Sequence, residues 1–497
     1  MKSFGSRDRF FVFSKLATVL AGVCLLVSGP ALLLAQGAGY WHTDGSQILD
    51  SDGRTVRIAG ISWFGFETTD EVAHGLWNQD YHRILHTIKA SGFNTIRIPF
   101  SNQMVESPTI PPLERASGRI NNDLVNLNSL EIMDRIVSAA GAEGLKVILD
   151  NHRSEAGDSN EHSGLWYTRE YPERSWIADW QSMVSRYRTF TDPDGNPVVI
   201  GVDLRNEPFL MVNGHASGSC WTGDTAAGGC PITDTAHNWP AAAQRAAAAV
   251  LDINPNLLIF VEGVDCYNGN CNWQGGNLAG AANYPMELPY SGHLVYSAHD
   301  YGPTTSPQPW FKSTTTPDTL QQHWMRNWAY LSAQNIAPVW LGEFGTSNND
   351  RDIQSPAAGS QGQWFATLIA FLRSEPRIGW AYWAANGEDS TGLLAHNYDA
   401  PAHTSLKLEE LATIQFPLNQ LPPVVAQTAA PAQPNDPPQQ RPHSSNGIPL
   451  AAGMTLTMVA LVMVQRSQPG EKKKKKKAGS DAPPSDNLDA EALDPEA

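Results

Sequence analysis

The chain has 497 residues, with 34 Lys and Arg against 50 Asp and Glu, a formal charge of −16 and 41% hydrophobic residues. That length holds one large domain or two to three ordinary ones. The negative balance excludes a nucleic-acid partner, because phosphate binding needs a basic surface, and leaves a neutral polymer or a small molecule.

Residues 1–37 read as an export signal. Lys2, Arg7, Arg9 and Lys15 precede an apolar run from Leu16 to Ala35, and Ala35 and Gly37 supply small residues for cleavage. An uncleaved anchor is the alternative. All sixteen tryptophans lie between Trp41 and Trp383, marking one folded unit of roughly 380 residues, the size of a TIM barrel with insertions. Its expected bounds are 38–416. Trp41 to Arg57 contains two Asp/Gly turn signals, which predict a hairpin placed to close a barrel floor.

Eight short apolar runs follow: Val56–Trp63, Thr95–Phe100, Lys146–His152, Val199–Pro208, Leu257–Gly263, Leu294–Tyr301, Val339–Thr346 and Ile378–Asn386. Most are unbroken β-branched and aliphatic stretches, the pattern of strands buried on both faces. Between them lie helical periodicities, such as Leu130, Met133, Ile136, Val137 and Ala140 on one stripe. After the fifth run the helix signal fails, and Gly269 to Pro289 reads as loop. Eightfold β/α alternation predicts an α/β fold, a closed parallel (β/α)8 TIM barrel. An open doubly wound sheet is the competing topology, but it usually has fewer strands and often carries a glycine fingerprint, which is not found here.

Past Phe416 the composition changes. Residues 417–447 are rich in Pro, Ala and Gln and predict a disordered linker. Ile448–Val464 is an uncharged, mostly apolar stretch, roughly 25 Å long as a helix, short but workable as a membrane anchor. Arg466 and Lys472–Lys477 come next, so this single C-terminal transmembrane helix would leave the barrel outside and the tail, 465–497, in the cytoplasm. A soluble tail with a chance apolar patch is the alternative. Four cysteines follow the leader. In an exported chain they predict two local disulfides, Cys220–Cys230 and Cys266–Cys271; a zinc site is the competing reading, but the spacings match no zinc pattern.

Reactive groups of a barrel sit where strands end. The expected strand ends carry Arg97, His152, Asn206 with Glu207, His299 with Tyr301, Glu343, and Trp383. So many polar groups in one interior cost several kcal/mol unless they satisfy one another or a ligand. Two carboxylates, Glu207 and Glu343, with no evident metal or cofactor, suit glycoside hydrolysis, in which one attacks the anomeric carbon and the other protonates the leaving oxygen.

Val202-Asp203-Leu204-Arg205-Asn206-Glu207-Pro208 resembles the Asn-Glu-Pro signature of glycoside hydrolase family 5, and Trp340-Leu341-Gly342-Glu343-Phe344-Gly345 resembles that family's nucleophile strand. The resemblance runs from about Tyr40 to Ile414 and is nearest to bacterial endo-β-1,4-glucanases. It implies Glu343 as nucleophile, kept ionised by Arg97 and Tyr301, and Glu207 as acid/base. It further implies Asn206 on the sugar 2-hydroxyl, His152 and His299 lining the reactive subsite, and Trp383 as a stacking floor. The implied substrate is a β-glucan polysaccharide; mannan, xyloglucan and β-1,3-glucan, or a silent glycan-binding role, are the alternatives. A monomeric catalytic domain is expected. Among loop tryptophans, Trp77 and Trp273 are further candidates for sugar stacking, while Glu262 and Asp300 read as supporting or structural groups.

Overall fold

The computed structural model describes residues 37–416 apart from 117–118, 159–161, 224–228 and 402–404. The expected leader up to residue 36, the linker, the apolar segment 448–464 and the charged tail lie outside the described residues. Among the described residues no helix is long and apolar enough to cross a membrane.

The chain opens with a three-stranded antiparallel ribbon, β1 (His42–Asp44), β2 (Gln47–Leu49) and β3 (Thr55–Val56). Eight parallel strands then close in sequence order: β4 (Ala59–Ser62), β5 (Thr95–Ser101), β6 (Lys146–Arg153), β7 (Val199–Asp203), β8 (Leu258–Glu262), β9 (Leu294–His299), β10 (Val339–Phe344) and β11 (Gly379–Tyr382). All eight expected runs are barrel strands. Several end earlier than expected, so Asn206, Glu207, Tyr301 and Trp383 stand in the loops just beyond them. Parallel neighbours need crossovers, and the longer ones carry helices: α1 (Tyr81–Ala90), α2 (Ser129–Ala142), α3 (Glu173–Tyr187), α4 (Trp239–Ile253), α5 (Pro317–Trp324) and α6 (Gln361–Ser374), with α7 (Ser405–Ala412) after the last strand. A π-helical turn, Met325–Ala329, extends α5. The β8–β9 crossover has no helix among its described residues, as the Gly- and Asn-rich composition of 269–289 suggested.

Local chemistry sets the helix starts. Asp80 caps α1 by accepting from His82 and Arg83 backbone N–H groups, and Asn128 with Glu131 forms a reciprocal capping box on α2. Tyr81, Ile84, Leu85 and Ile88 then bury one stripe of α1.

Two apolar layers fill the domain. The larger lies between barrel and helices. The smaller joins Trp41, Ile48 and Val56 of the ribbon to inward barrel residues such as Ile148, Leu258, Phe260, Val295 and Trp340. The ribbon therefore plugs one end of the barrel, and the interior becomes polar only toward the strand C-termini.

That polar layer depends on two irregularities. Side chains alternate along a strand, so Ile148, Asp150 and His152 of β6 share the inward face. In β7, Val147 pairs with Val199 but Ile148 pairs with Gly201, one extra residue. The bulge turns Val202 outward into the larger layer and Asp203 inward onto Arg97. In β10, Ala298 pairs with Leu341 and His299 with Glu343, which leaves Gly342 over. Trp340 thus faces in, Leu341 and Phe344 face out, and Glu343 faces in. Glycine is needed there: a Cβ on residue 342 would lie 2.6 Å from Ser297 Oγ and 3.1 Å from His299 Nε2.

Candidate active site

A cavity of about 530 Å³ opens at the C-terminal face and is lined by His152, Asn206, Glu207, Trp273, Tyr301, Glu343 and Trp383 among others. Arg97 is its buried hub. Its Nη1 donates to Glu343 Oε1, and its Nη2 donates to Asn206 Oδ1 at 2.9 Å. The same Nη2 lies 3.1 Å from Asp150, 3.1 Å from Asp203 and 3.4 Å from Glu262. Burial works against the guanidinium charge, but these four carboxyl groups, Asp150 foremost, hold Arg97 protonated.

Glu343 is 4% exposed, and burial alone would push its carboxyl up. The cationic His299, Arg97 and His152, together with the Tyr301 hydroxyl donating to Oε2 at 2.8 Å, bring it below the usual range instead. It is an ionised, desolvated carboxylate. His299 Nδ1 lies 3.0 Å from Glu207 Oε1 and 3.6 Å from Glu343 Oε2. Its Nε2 stands 3.2 Å from Glu262 Oε1, though poorly aligned for a hydrogen bond. Burial opposes the imidazolium, yet Glu262 and Glu343 raise it well above the ordinary histidine value. Asp203 is also shifted upward: burial first, then repulsion from Glu262, raises it well above the carboxylate range, against the pull of Arg97.

Glu207 sits in the left-handed backbone region at φ 46°, sparsely populated by residues other than glycine. The turn is held by its backbone N–H donating to Glu262 Oε2 at 2.8 Å and by Asn206 N–H donating to Asn151 O at 3.0 Å. One oxygen each of Glu207 and Glu343 and a ring nitrogen of His299 all lie within 4.8 Å of one another. Asp203, Glu262 and His299 form a second such cluster. Both have ligand spacing for a cation, but the charges of Arg97 and His299 already stand among them, which disfavours adding another.

The structure brings Arg97, His152, Asn206, Glu207, His299, Tyr301, Glu343 and Trp383 together. The Trp383 ring is parallel to those of His152 and Phe64, with centroids 5.4 Å away in each case. Burial pulls His152 down, but Asp150, bonded to Nδ1 at 2.7 Å, raises it above the ordinary value. Trp273 reaches the site differently than expected: its Nε1 donates to Glu207 Oε1 at 2.6 Å. Trp77 is not on the cavity wall. Its ring meets His74 edge-on and is covered by the Arg115 guanidinium, 5.0 Å from the centroid. Both disulfides form with the expected pairing. The sequence reading passed over Phe64, Asp150 and Asp203. The two acids had a signal, since each is a charge in a strand otherwise buried on both faces; Phe64 had none.

A closed parallel barrel with two facing carboxylates at its C-terminal face defines a glycoside hydrolase. Residues 49–389 match the family model for Cellulase (glycosyl hydrolase family 5). An endoglucanase of Paenibacillus polymyxa is 40% identical over 404 residues, which span 80% of this chain and 92% of that protein. The major extracellular endoglucanase of Xanthomonas campestris pv. campestris is 32% identical over 400 residues, 79% of this chain and 73% of the relative. Among solved structures, a variant of the endocellulase from Pyrococcus horikoshii in complex with cellotetraose superposes with a TM-score of 0.65 at 30% identity, covering 77% of this chain and 99% of that one. The chain belongs to glycosyl hydrolase family 5.

Proposed function

We propose that the protein is an endo-β-1,4-glucanase that cleaves β-glucan by double displacement, with Glu343 as nucleophile and Glu207 as acid/base. The observation that carries this is the pair of carboxylate oxygens within 4.8 Å. Direct attack uses carboxyl groups about 5–5.5 Å apart, whereas inversion needs about 6.5–9.5 Å to admit a water. Glu343 attacks the anomeric carbon as Glu207 passes a proton to the leaving oxygen. Water, deprotonated by Glu207, then releases the sugar from Glu343. Asn206 is placed for the 2-hydroxyl, with Arg97 fixing its carbonyl oxygen so that the amide N–H faces the sugar. Proton NMR of early product tests the reading: the β-anomer appears first, and an initial α-anomer overturns it. A reducing-sugar panel of cellulose derivatives, mannan, xyloglucan and β-1,3-glucan tests the substrate, with β-1,4-glucan the fastest.

Export and tethering belong to the same reading. The leader-like residues 1–37 and the apolar segment 448–464 followed by lysines support an enzyme held at the outer cell surface through a Pro-rich spacer. Protease release of the barrel from intact cells tests it.

A further inference from the structure

Cys266 and Cys271 face each other across a two-residue antiparallel ladder, Cys266–Tyr267 with Asn270–Cys271, and their disulfide closes it. The ribbon narrows where Val264 pairs with Asn277, whose side chain donates to Asn270 O at 2.6 Å and Asp265 O at 3.2 Å. Two residues past the disulfide, Trp273 leaves the ribbon and reaches Glu207. Asn272, between them, is fixed on three sides. Its N–H donates to Asp265 O at 2.8 Å, its side chain donates to Gly276 O at 2.8 Å, and its Oδ1 lies 2.9 Å from His323 Nε2. The bracket also grips the acid's own loop, because Gly275 N–H donates to Pro208 O at 3.3 Å.

Glu207 Oε1 is a shared acceptor. Trp273 Nε1 lies 2.6 Å from it and His299 Nδ1 3.0 Å. A carboxylate oxygen has two in-plane lone pairs, enough for these two N–H donors, so Oε2 is the atom left open to carry a proton.

We infer that Trp273 is a positioning residue that assigns the transferable proton to Glu207 Oε2, and that the Cys266–Cys271 disulfide holds it in register; the inference rests on Glu207 being the acid/base. In the first half-reaction the Oε2 proton moves to the glycosidic oxygen as the bond from that oxygen to the anomeric carbon breaks and Glu343 bonds to the same carbon. In the second, Oε2 takes a proton from water as the water oxygen bonds to the anomeric carbon and Glu343 leaves. Throughout, the Trp273 N–H steadies the carboxylate that results from the first step.

The experiment uses the full chain and two aryl β-cellobiosides, one with a phenol leaving group that needs protonation and one with 2,4-dinitrophenol that does not. Trp273→Phe keeps an aromatic ring but removes the donor. With phenol, kcat/KM falls about 10- to 100-fold, and with dinitrophenol by less than about threefold, since general-acid help is worth about 10²–10⁴ only where a proton is needed. The alkaline limb of the kcat/KM pH profile moves up by about one pH unit, because an N–H donor to the ionised form is lost. C266S/C271S gives a smaller shift in the same sense in the parent protein and none in the Trp273→Phe background. Equal losses on both substrates with an unmoved pH limb overturn the positioning role. Additive effects of the cysteine and tryptophan changes overturn the disulfide's part. Glu207→Ala separates the two levels. If it shows no leaving-group dependence, the acid/base reading fails and takes the inference with it. If Glu207→Ala depends on the leaving group and Trp273→Phe does not, the inference alone fails.

Discussion

Replacing Glu343 by Gln removes one charge and almost no volume, so it separates chemistry from folding. Arg97 Nη1 can still donate to the amide oxygen, whereas the Tyr301 hydroxyl, now facing an NH2 group in place of Oε2, must turn to accept. Breaking a buried ion pair typically costs about 3–5 kcal/mol because the surviving charge is stranded. Here Arg97 is not stranded: Asp150 and Asp203 remain at 3.1 Å and Glu262 at 3.4 Å. The expected destabilisation is therefore the smaller figure of about 1–3 kcal/mol for a charged hydrogen bond made worse. Turnover behaves otherwise. An amide cannot form the glycosyl ester, and loss of a nucleophile costs on the order of 10⁵-fold or more in kcat. The assay pairs reducing-sugar release from carboxymethyl cellulose with 2,4-dinitrophenyl β-cellobioside, which needs no acid, and a thermal melt of the same preparation. A folded variant that keeps more than about a hundredth of the parent rate on either substrate refutes the nucleophile assignment.

Tyr301→Phe removes a donor from an ionised, buried carboxylate. The Glu343 carboxyl is lowered in the folded enzyme, so activity is lost as pH falls through its titration; without the hydroxyl the acid limb of kcat/KM moves up by about one pH unit. An unmoved acid limb counts against that role for the hydroxyl. Asp300 is different: burial, opposed by the Trp364 and Trp324 N–H groups, pushes it up to about 7 from 3.8. The folded state keeps a proton that the unfolded chain releases, so this stabilisation is full below pH 3.8 and gone once pH rises through about 7. Asp300→Asn flattens the pH dependence of unfolding free energy between pH 5 and 8 by about 2–3 kcal/mol, measured by denaturant melts; an unchanged slope rejects the buried acid. Lys407 of α7 is buried and donates to Thr391 O at 2.8 Å, Gly392 O at 3.0 Å, Thr346 O at 3.3 Å and Asn348 Oδ1. It ties together the loops after β10 and β11, which carry Ser347, Ser390 and Thr391 of the cavity wall. Lys407→Met strands those acceptors, lowers stability by about 2–4 kcal/mol and raises KM; an unshifted melting temperature refutes the tie.

The barrel was legible because strands covered on both faces leave a local mark. Eight β-branched runs appear in the chain, and all eight became strands. The clustered carboxylates Glu207 and Glu343 were legible for a related reason: a carboxylate, an arginine or a histidine at the end of such a run has no cheap structural explanation. Trp77 and Trp273 were harder. Both are loop tryptophans in sequence, but one ends beneath Arg115 and the other on Glu207, because loop paths follow from contacts with segments far away in the chain.

Composition and periodicity, then, determined an acidic chain built on a β/α barrel with ionisable groups gathered at one rim. Tertiary structure decided which way those groups point. Strict alternation from Trp340 would turn Glu343 outward into the helix layer, as alternation from Ile200 would turn Asp203. Each faces the interior because its strand carries one residue more than its neighbour pairs with. A bulge is a property of two strands in register, and no single strand's sequence contains it.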